Sequence, residues 1–239
     1  QQQGQRHMPL DHPITAKWPA QHPGRIQLYS LPTPNGIKVS AMLEETGLPY
    51  EPHLVSFATN DQMSPEFLSL NPNNKIPAII DPNGPGGEQV GLWETGAILL
   101  YLAEKTGQFI PADPAARAET TQWLMWQMGG LGPMLGQFGF FHKFAGTEIE
   151  DKRPYERYQN ESNRLLGVLD KRLEGRDFIM GDDYTIADIA SWPWVLTIKV
   201  FYEAVEELGL NGFSNVTRWM NQCAERPASK LAINIPARD

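Results

Sequence analysis

A mixed α+β domain followed by an all-helical domain is the fold class predicted for this sequence, and three observations predict it. Strand-like and helix-like patterns follow one another in the order βαβ and then ββα as far as Gly107. Beyond it the alternation stops and only helical periods continue. The length of 239 residues favours two domains, since domains of about 100–150 residues are the commonest size. The expected division is an irregular arm over 1–24, a first domain over 25–107, a linker over 108–114 and a helical domain over 115–239.

The arm is rich in Gln and Pro and shows no helical or strand period. Its histidines, His7, His12 and His22, lack metal-ligand spacing, and no metal is assigned. After Arg25, Ile26 and Leu28 alternate with polar neighbours as in a short strand, and Leu31-Pro32-Thr33-Pro34-Asn35-Gly36 supplies a turn. Val39, Met42, Leu43 and Thr46 then recur at i, i+3, i+4, i+7, one helical stripe stopped by Gly47. Tyr50 to Phe57 reads as a strand, and Pro52, which cannot donate to a ladder, places it at a sheet edge. A short helix is expected at Pro65 to Leu70. The apolar run Ile76 to Ile80, the Pro- and Gly-dense turn Asp81 to Gly87 and the stretch Val90 to Trp93 form a hairpin. Gly96 to Lys105 completes the domain as a helix carrying Ile98, Leu99, Tyr101 and Leu102, with Gly107 as its stop.

In the second half, Ala115 to Met128 reads as a helix that Gly129-Gly130-Leu131-Gly132-Pro133 should kink or break. The glycine run lacks the Gly-Lys-Ser/Thr ending of a phosphate loop, so close helix packing is its better reading. Pro154 opens a long helix with Tyr158, Ser162, Leu165, Leu169 and Leu173 on one face. Thr185-Ile186-Ala187-Asp188 has the form of a capping box, flanked by Tyr184 and Ile189 as a hydrophobic staple. Val216 to Ala224 is the last amphipathic stretch.

Composition narrows the function classes. The chain is 41% hydrophobic and 20% charged, without a run approaching the roughly 20 apolar residues of a membrane span. The polar, Pro-rich start lacks the apolar core of a secretory signal, so a cytoplasmic location without membrane partners is expected. A net charge of −8 argues against a nucleic-acid surface and for a small partner. The one cysteine, Cys223, can form neither an internal disulfide nor a CxxC pair, so dithiol chemistry would need sulfur from elsewhere.

Four motifs in order, Thr33-Pro34-Asn35-Gly36, Asn73-Asn74-Lys75-Ile76-Pro77-Ala78, Trp93-Glu94-Thr95-Gly96-Ala97-Ile98-Leu99 and Thr185-Ile186-Ala187-Asp188, resemble those of the glutathione transferase superfamily. The resemblance covers about residues 25–230, and the Thr-Pro-Asn-Gly turn and the run Trp126 to Gln137 are similar to the Nu class and the Ure2-like proteins. It implies a thioredoxin-like glutathione-binding domain before the helical one, a cis Ile76-Pro77 bond, and glutathione as co-substrate, held as two molecules per subunit or as glutathione disulfide. It further implies a homodimer, with Met63, Phe67 and the helix after Ala115 as contacts, and Gln62 and Arg157 as additional glutathione contacts.

Glutathione carries two carboxylates, an amine and a thiol, and candidates exist for each. Glu94 can accept from the γ-glutamyl amine, while the Thr95 hydroxyl and the helix N-terminal amides receive the adjoining carboxylate. The bland alternative is a capped helix beside an exposed acid. Ile76, held extended by Pro77, can pair its main chain with a peptide ligand, and Lys75 suits the glycyl carboxylate, although a surface lysine is often only solvated. Thr33 and Asn35 face the thiol end as candidate catalytic residues. Lowering a thiol pKa by about two units needs roughly 2.7 kcal/mol. A helix N-terminus supplies about 0.3–2 kcal/mol and a hydrogen bond to a charged group about 1.5–3 kcal/mol, so one or two donors suffice. Taken alone, the tetrapeptide is also a good turn, and Arg157 an ordinary helix arginine. The function expected is a glutathione-dependent disulfide-bond oxidoreductase; the alternatives are a transferase or peroxidase acting on a hydrophobic electrophile, and a non-catalytic glutathione-binding regulator.

Overall fold

Short hydrophobic strands separated by strong turn residues build the first half of the chain. The computed structural model describes residues 10–238. By its internal contacts the chain divides into two units, Gln1–Ile98 with Leu231–Asp239, and Leu99–Lys230. The chain's last segment therefore belongs to the first unit, where the sequence placed it in the helical domain.

In the first unit, β1 (Ile26–Ser30), α1 (Pro34–Thr46) and β2 (Tyr50–Leu54) form the βαβ half. The short α2 (Pro65–Leu68) leads to β3 (Ala78–Asp81) and β4 (Val90–Trp93), and α3 (Thr95–Thr106) follows. The four-stranded sheet has the order β2-β1-β3-β4. β1 and β2 are parallel, as a helical crossover requires. β3 runs antiparallel to both β1 and β4. Pro52 lies in the outer strand, where its missing N–H leaves no gap in the ladder.

The described part of the arm, residues 10–24, is more ordered than its composition implies. Pro13–Ala16 forms a 3-10 turn whose first free amide, Ile14 N–H, is accepted by His12 Nδ1 at 3.1 Å. Ile14 and Trp18 join Tyr29, Val55 and Phe67 in one buried cluster. Trp18 Nε1 donates to the Leu54 carbonyl at 2.9 Å, and the buried Glu51 carboxylate accepts the Gln21 and His22 amides at 2.8 and 3.2 Å. The remaining arm histidine, His7, lies outside the described residues. Phe67 is fully buried in this cluster with its ring edge-on to Trp18, so it is not available as a subunit contact; Met63 is half exposed. At the other end of the chain, Ser40 Oγ donates to the Ile235 carbonyl at 3.1 Å.

The second unit is helical: α4 (Pro114–Trp126), α5 (Gly132–Lys143), α6 (Arg153–Arg172), α7 (Ile186–Val200), α8 (Ser214–Ala224) and most of α9 (Pro227–Ala232). Where a kink or break was expected after α4, the chain makes a single π-helical turn, Gln127–Leu131, continuous with α5. A Cβ on Gly132 would lie 3.0 Å from Trp194 Nε1, so this glycine lets α7 approach closely. The capping box of α7 is present. Asp188 also accepts the Ile179 N–H at 2.9 Å and Trp219 Nε1–H at 2.8 Å, tying α7 to a loop and to α8. Among the described residues no helix is long and apolar enough to cross a membrane.

Candidate active site

Strand register gathers the candidate residues of the first unit. Because β1 and β2 are parallel and β3 is antiparallel to β1, the end of β1, the end of β2, the start of β3 and the end of β4 all lie at one edge of the sheet. Tyr29 pairs with Ala78, and Ala78 pairs with Trp93. Thr33 and Asn35 follow β1, Gln62 follows β2, Lys75, Ile76 and Pro77 precede β3, and Glu94 and Thr95 follow β4. Arg157 belongs to the second unit, where it is exposed on α6 and lines a cavity of about 590 Å³ with Met134, Tyr158, Asn160, Glu161 and Arg164.

Thr33 is the N-cap of α1: extended backbone brings its Oγ1 to 3.2 Å from the Gly36 N–H, which it accepts. An oxygen that accepts this amide turns its own proton elsewhere. Gly36 is required here by space, because a Cβ would lie 1.8 Å from the Leu31 carbonyl oxygen. The turn therefore folds tightly enough to hold Thr33 and Asn35 at the helix mouth, where backbone amides and the helix dipole favour an anion.

The loop before β3 is held from inside. The buried Asn71 donates from Nδ2 to the Lys75 carbonyl at 2.7 Å and accepts the Asn73 N–H at 2.8 Å. Lys75 itself is exposed, and the Ile76–Pro77 bond is cis. Gln62 sits in the 3-10 turn Asp61–Met63, its Oε1 buried and without a hydrogen-bond partner among the described residues. Such an atom costs free energy until a donor reaches it, which fits a polar ligand.

Glu94 has φ of 71°, unusual for a non-glycine residue, and its carbonyl accepts the Ile98 N–H at 2.9 Å, starting α3. The turn leaves the Glu94 side chain exposed while Thr95 is buried. Behind Thr95 stands a residue the sequence reading passed over. Lys38 of α1 is fully buried, and its Nζ donates to Thr95 Oγ1 at 3.0 Å. Burial pushes its ammonium down to about 7, against the opposing pull of Glu94. The available signal was its position: four residues before Met42, Lys38 continues the face of the buried stripe, where a lysine needs a partner. Asn71 gave no comparable signal.

The family models for the glutathione S-transferase N-terminal and C-terminal domains match residues 24–104 and 133–227. The chain is 47% identical over 211 residues to the disulfide-bond oxidoreductase YfcG of Escherichia coli, covering 87% of this chain and 94% of that protein. A glutathione transferase from Burkholderia graminis, crystallised with two glutathione molecules per subunit, superposes with a TM-score of 0.95 at 64% identity, over 97% of this chain and 98% of that one. One from Pseudomonas putida, with one glutathione disulfide per subunit, gives a TM-score of 0.92 at 61% identity, over 94% and 97% of the two chains.

Proposed function

The chain belongs to the glutathione S-transferase family, and from that premise we propose that it is a glutathione-dependent disulfide-bond oxidoreductase whose reacting sulfurs come from bound glutathione. The observation that carries the reading is a hydroxyl capping a helix mouth that has no cysteine. Thr33 accepts the Gly36 amide and gives its own proton to the thiolate, while Cys223, the one cysteine, is buried in the other unit. Asn35 adds an amide donor at the same end. The ligand's γ-glutamyl amine goes to Glu94, its neighbouring carboxylate to Thr95 and the first amides of α3, its main chain to Ile76 beside Pro77, and its glycyl carboxylate to Lys75. Gln62 gains a donor for its buried Oε1, and Arg157 meets a carboxylate.

Two thiolates complete the reaction. The first attacks the substrate disulfide, forming a mixed disulfide with glutathione and releasing one substrate thiolate. The second attacks the glutathione sulfur of that mixed disulfide, forming glutathione disulfide and releasing the other thiolate. The two protons lost by glutathione are taken up by the two product thiols. Holding both molecules in reach of one another is the protein's main contribution, with thiolate stabilisation second. The names of YfcG and the ligands of the Burkholderia and Pseudomonas structures support this reading. We place the enzyme in the cytoplasm as a homodimer, the form in which size-exclusion chromatography should find it.

The test is turnover of 2-hydroxyethyl disulfide with glutathione, coupled to glutathione reductase, alongside a calorimetric count of glutathione bound per subunit. Rapid turnover with two bound is expected. One glutathione bound with negligible disulfide turnover would reject the reading and favour conjugation or regulation.

A further inference from the structure

A fully buried lysine is an expensive component of a small domain, because taking an ammonium out of water costs several kcal/mol unless a partner compensates. Lys38 occupies such a position in the middle of α1, flanked by the buried Ile37 and Val39, where an apolar side chain would pack at less cost. Its Nζ reaches the first residue of α3, Thr95 Oγ1, at 3.0 Å, and both groups have further contacts. The charged group facing it is Glu94, in the turn that starts α3.

We propose that Lys38 is the positioning residue of the γ-glutamyl subsite: it holds the Thr95 hydroxyl as an acceptor, so that the hydroxyl proton is turned toward the ligand carboxylate, with a buried positive charge behind it. The argument is one of donor inventory. In its charged form, which an arriving ligand carboxylate favours, the lysine has three protons and no acceptor, so Thr95 Oγ1 can only accept from it, and the one hydroxyl proton must go elsewhere. A threonine without this neighbour is free to rotate and donate to a nearby carbonyl, which would present a lone pair to the incoming carboxylate. Lys38 stands four residues, about one helical turn, after Pro34, so α1 carries the thiol-end donors at its mouth and the support of the γ-glutamyl end one turn further in. The same helix thereby fixes the spacing between the two ends of the ligand. This inference deepens the glutathione reading and rests on it.

The test uses S-methylglutathione, which has no thiol and so leaves the thiolate machinery out of the measurement. Binding to the full chain is measured by calorimetry for wild type, Lys38→Met, Thr95→Val and the double variant, with S-methyl-cysteinylglycine, which lacks the γ-glutamyl group, as second ligand. Lys38→Met should weaken S-methylglutathione by about tenfold or more, the loss of a charge-assisted hydrogen bond. S-methyl-cysteinylglycine should bind wild type and variant alike, and the double variant should be no weaker than Thr95→Val alone. In turnover, the KM for glutathione should rise by that same factor with a much smaller fall in kcat. If Lys38→Met does not fold, Lys38→Gln, which removes the charge and offers Thr95 an acceptor as well as a donor, should show the same discrimination between ligands. Unchanged affinity in the variant, equal losses for both ligands, or additive losses in the double variant would overturn the role of Lys38 alone. Failure of wild type to bind S-methylglutathione would overturn the glutathione reading with it.

Discussion

Replacing Thr33 separates two duties that share one oxygen. Oγ1 accepts the Gly36 N–H at 3.2 Å as the cap of α1, and in the proposed reaction its proton goes to the glutathione thiolate. Thr33→Ala removes both. Loss of a cap costs about 0.5–2 kcal/mol, and in a chain of this size each kcal/mol lowers Tm by about 2–4 °C. Loss of a hydrogen bond to a charged sulfur costs about 1.5–3 kcal/mol, which at about 1.36 kcal/mol per decade is roughly a 10- to 150-fold fall in kcat/KM. The bound thiol pKa should rise by about 1–2 units. Thr33→Ser should keep both duties. Thr33→Asp keeps the cap, since aspartate caps as well as threonine, but has no proton to give and repels the thiolate; its Tm should match wild type while its activity falls at least as far as that of Thr33→Ala. The assay is kcat/KM for 2-hydroxyethyl disulfide as a function of pH, beside calorimetric melting. A Thr33→Ala variant with lowered Tm but kcat/KM within about twofold of wild type, under 0.5 kcal/mol, would refute the reasoning and leave Thr33 as a cap only.

Three further outcomes are expected. Lys38 titrates near 7 in the folded chain against an ordinary 10.5, so the folded state sheds this proton first; its contribution is complete above about 10.5 and is lost as pH falls through 7. Within that window urea unfolding should show stability rising by up to about 1.4 kcal/mol per pH unit, and Lys38→Met should flatten the slope. Asp188→Ala strands the amides of Ile179 and Thr185 and the indole N–H of Trp219, a loss of about 3 kcal/mol or more measurable as a lower urea midpoint. Glu51→Ala leaves the Gln21 and His22 amides without their acceptor and should cost about 1.5–3 kcal/mol; amide exchange at these two residues should accelerate, and unchanged protection would mean the arm is held by its apolar contacts.

The parts of the fold legible in the sequence are those with local causes. Gly47 stops α1, Thr185 and Asp188 close a box across three residues, and Pro52 lies on an outer strand, each for a reason carried within a few positions. The gathering of Thr33, Ile76, Glu94 and Thr95 was legible only through the family resemblance, because the βαβ and hairpin patterns pair β1 with β2 and β3 with β4 but do not say that β1 meets β3. What escaped the sequence depends on distant partners. The arm lacks periodicity because its anchors, Ile14 and Trp18, are inserted singly into a core made by other segments. Phe67 has the same composition signal whether it meets a partner subunit or Trp18. Lys38 looks like any helical lysine until Thr95 is placed beside it, and Gly129 to Pro133 spell a kink or a break without saying that it takes the form of one wider turn.

The return of Leu231–Asp239 to the first unit has a consequence for how the protein is made. Residues emerge from a ribosome in order, yet the unit that contains the sheet includes both the opening of the chain and its final stretch, with Ser40 bonded to the Ile235 carbonyl. The unit that holds the sheet thus cannot be completed as a free-standing N-terminal piece during synthesis. It must wait until residues 231–239, which follow the helical unit in the chain, have been made. Cutting the gene at the apparent domain border would remove a piece of the domain it was meant to isolate.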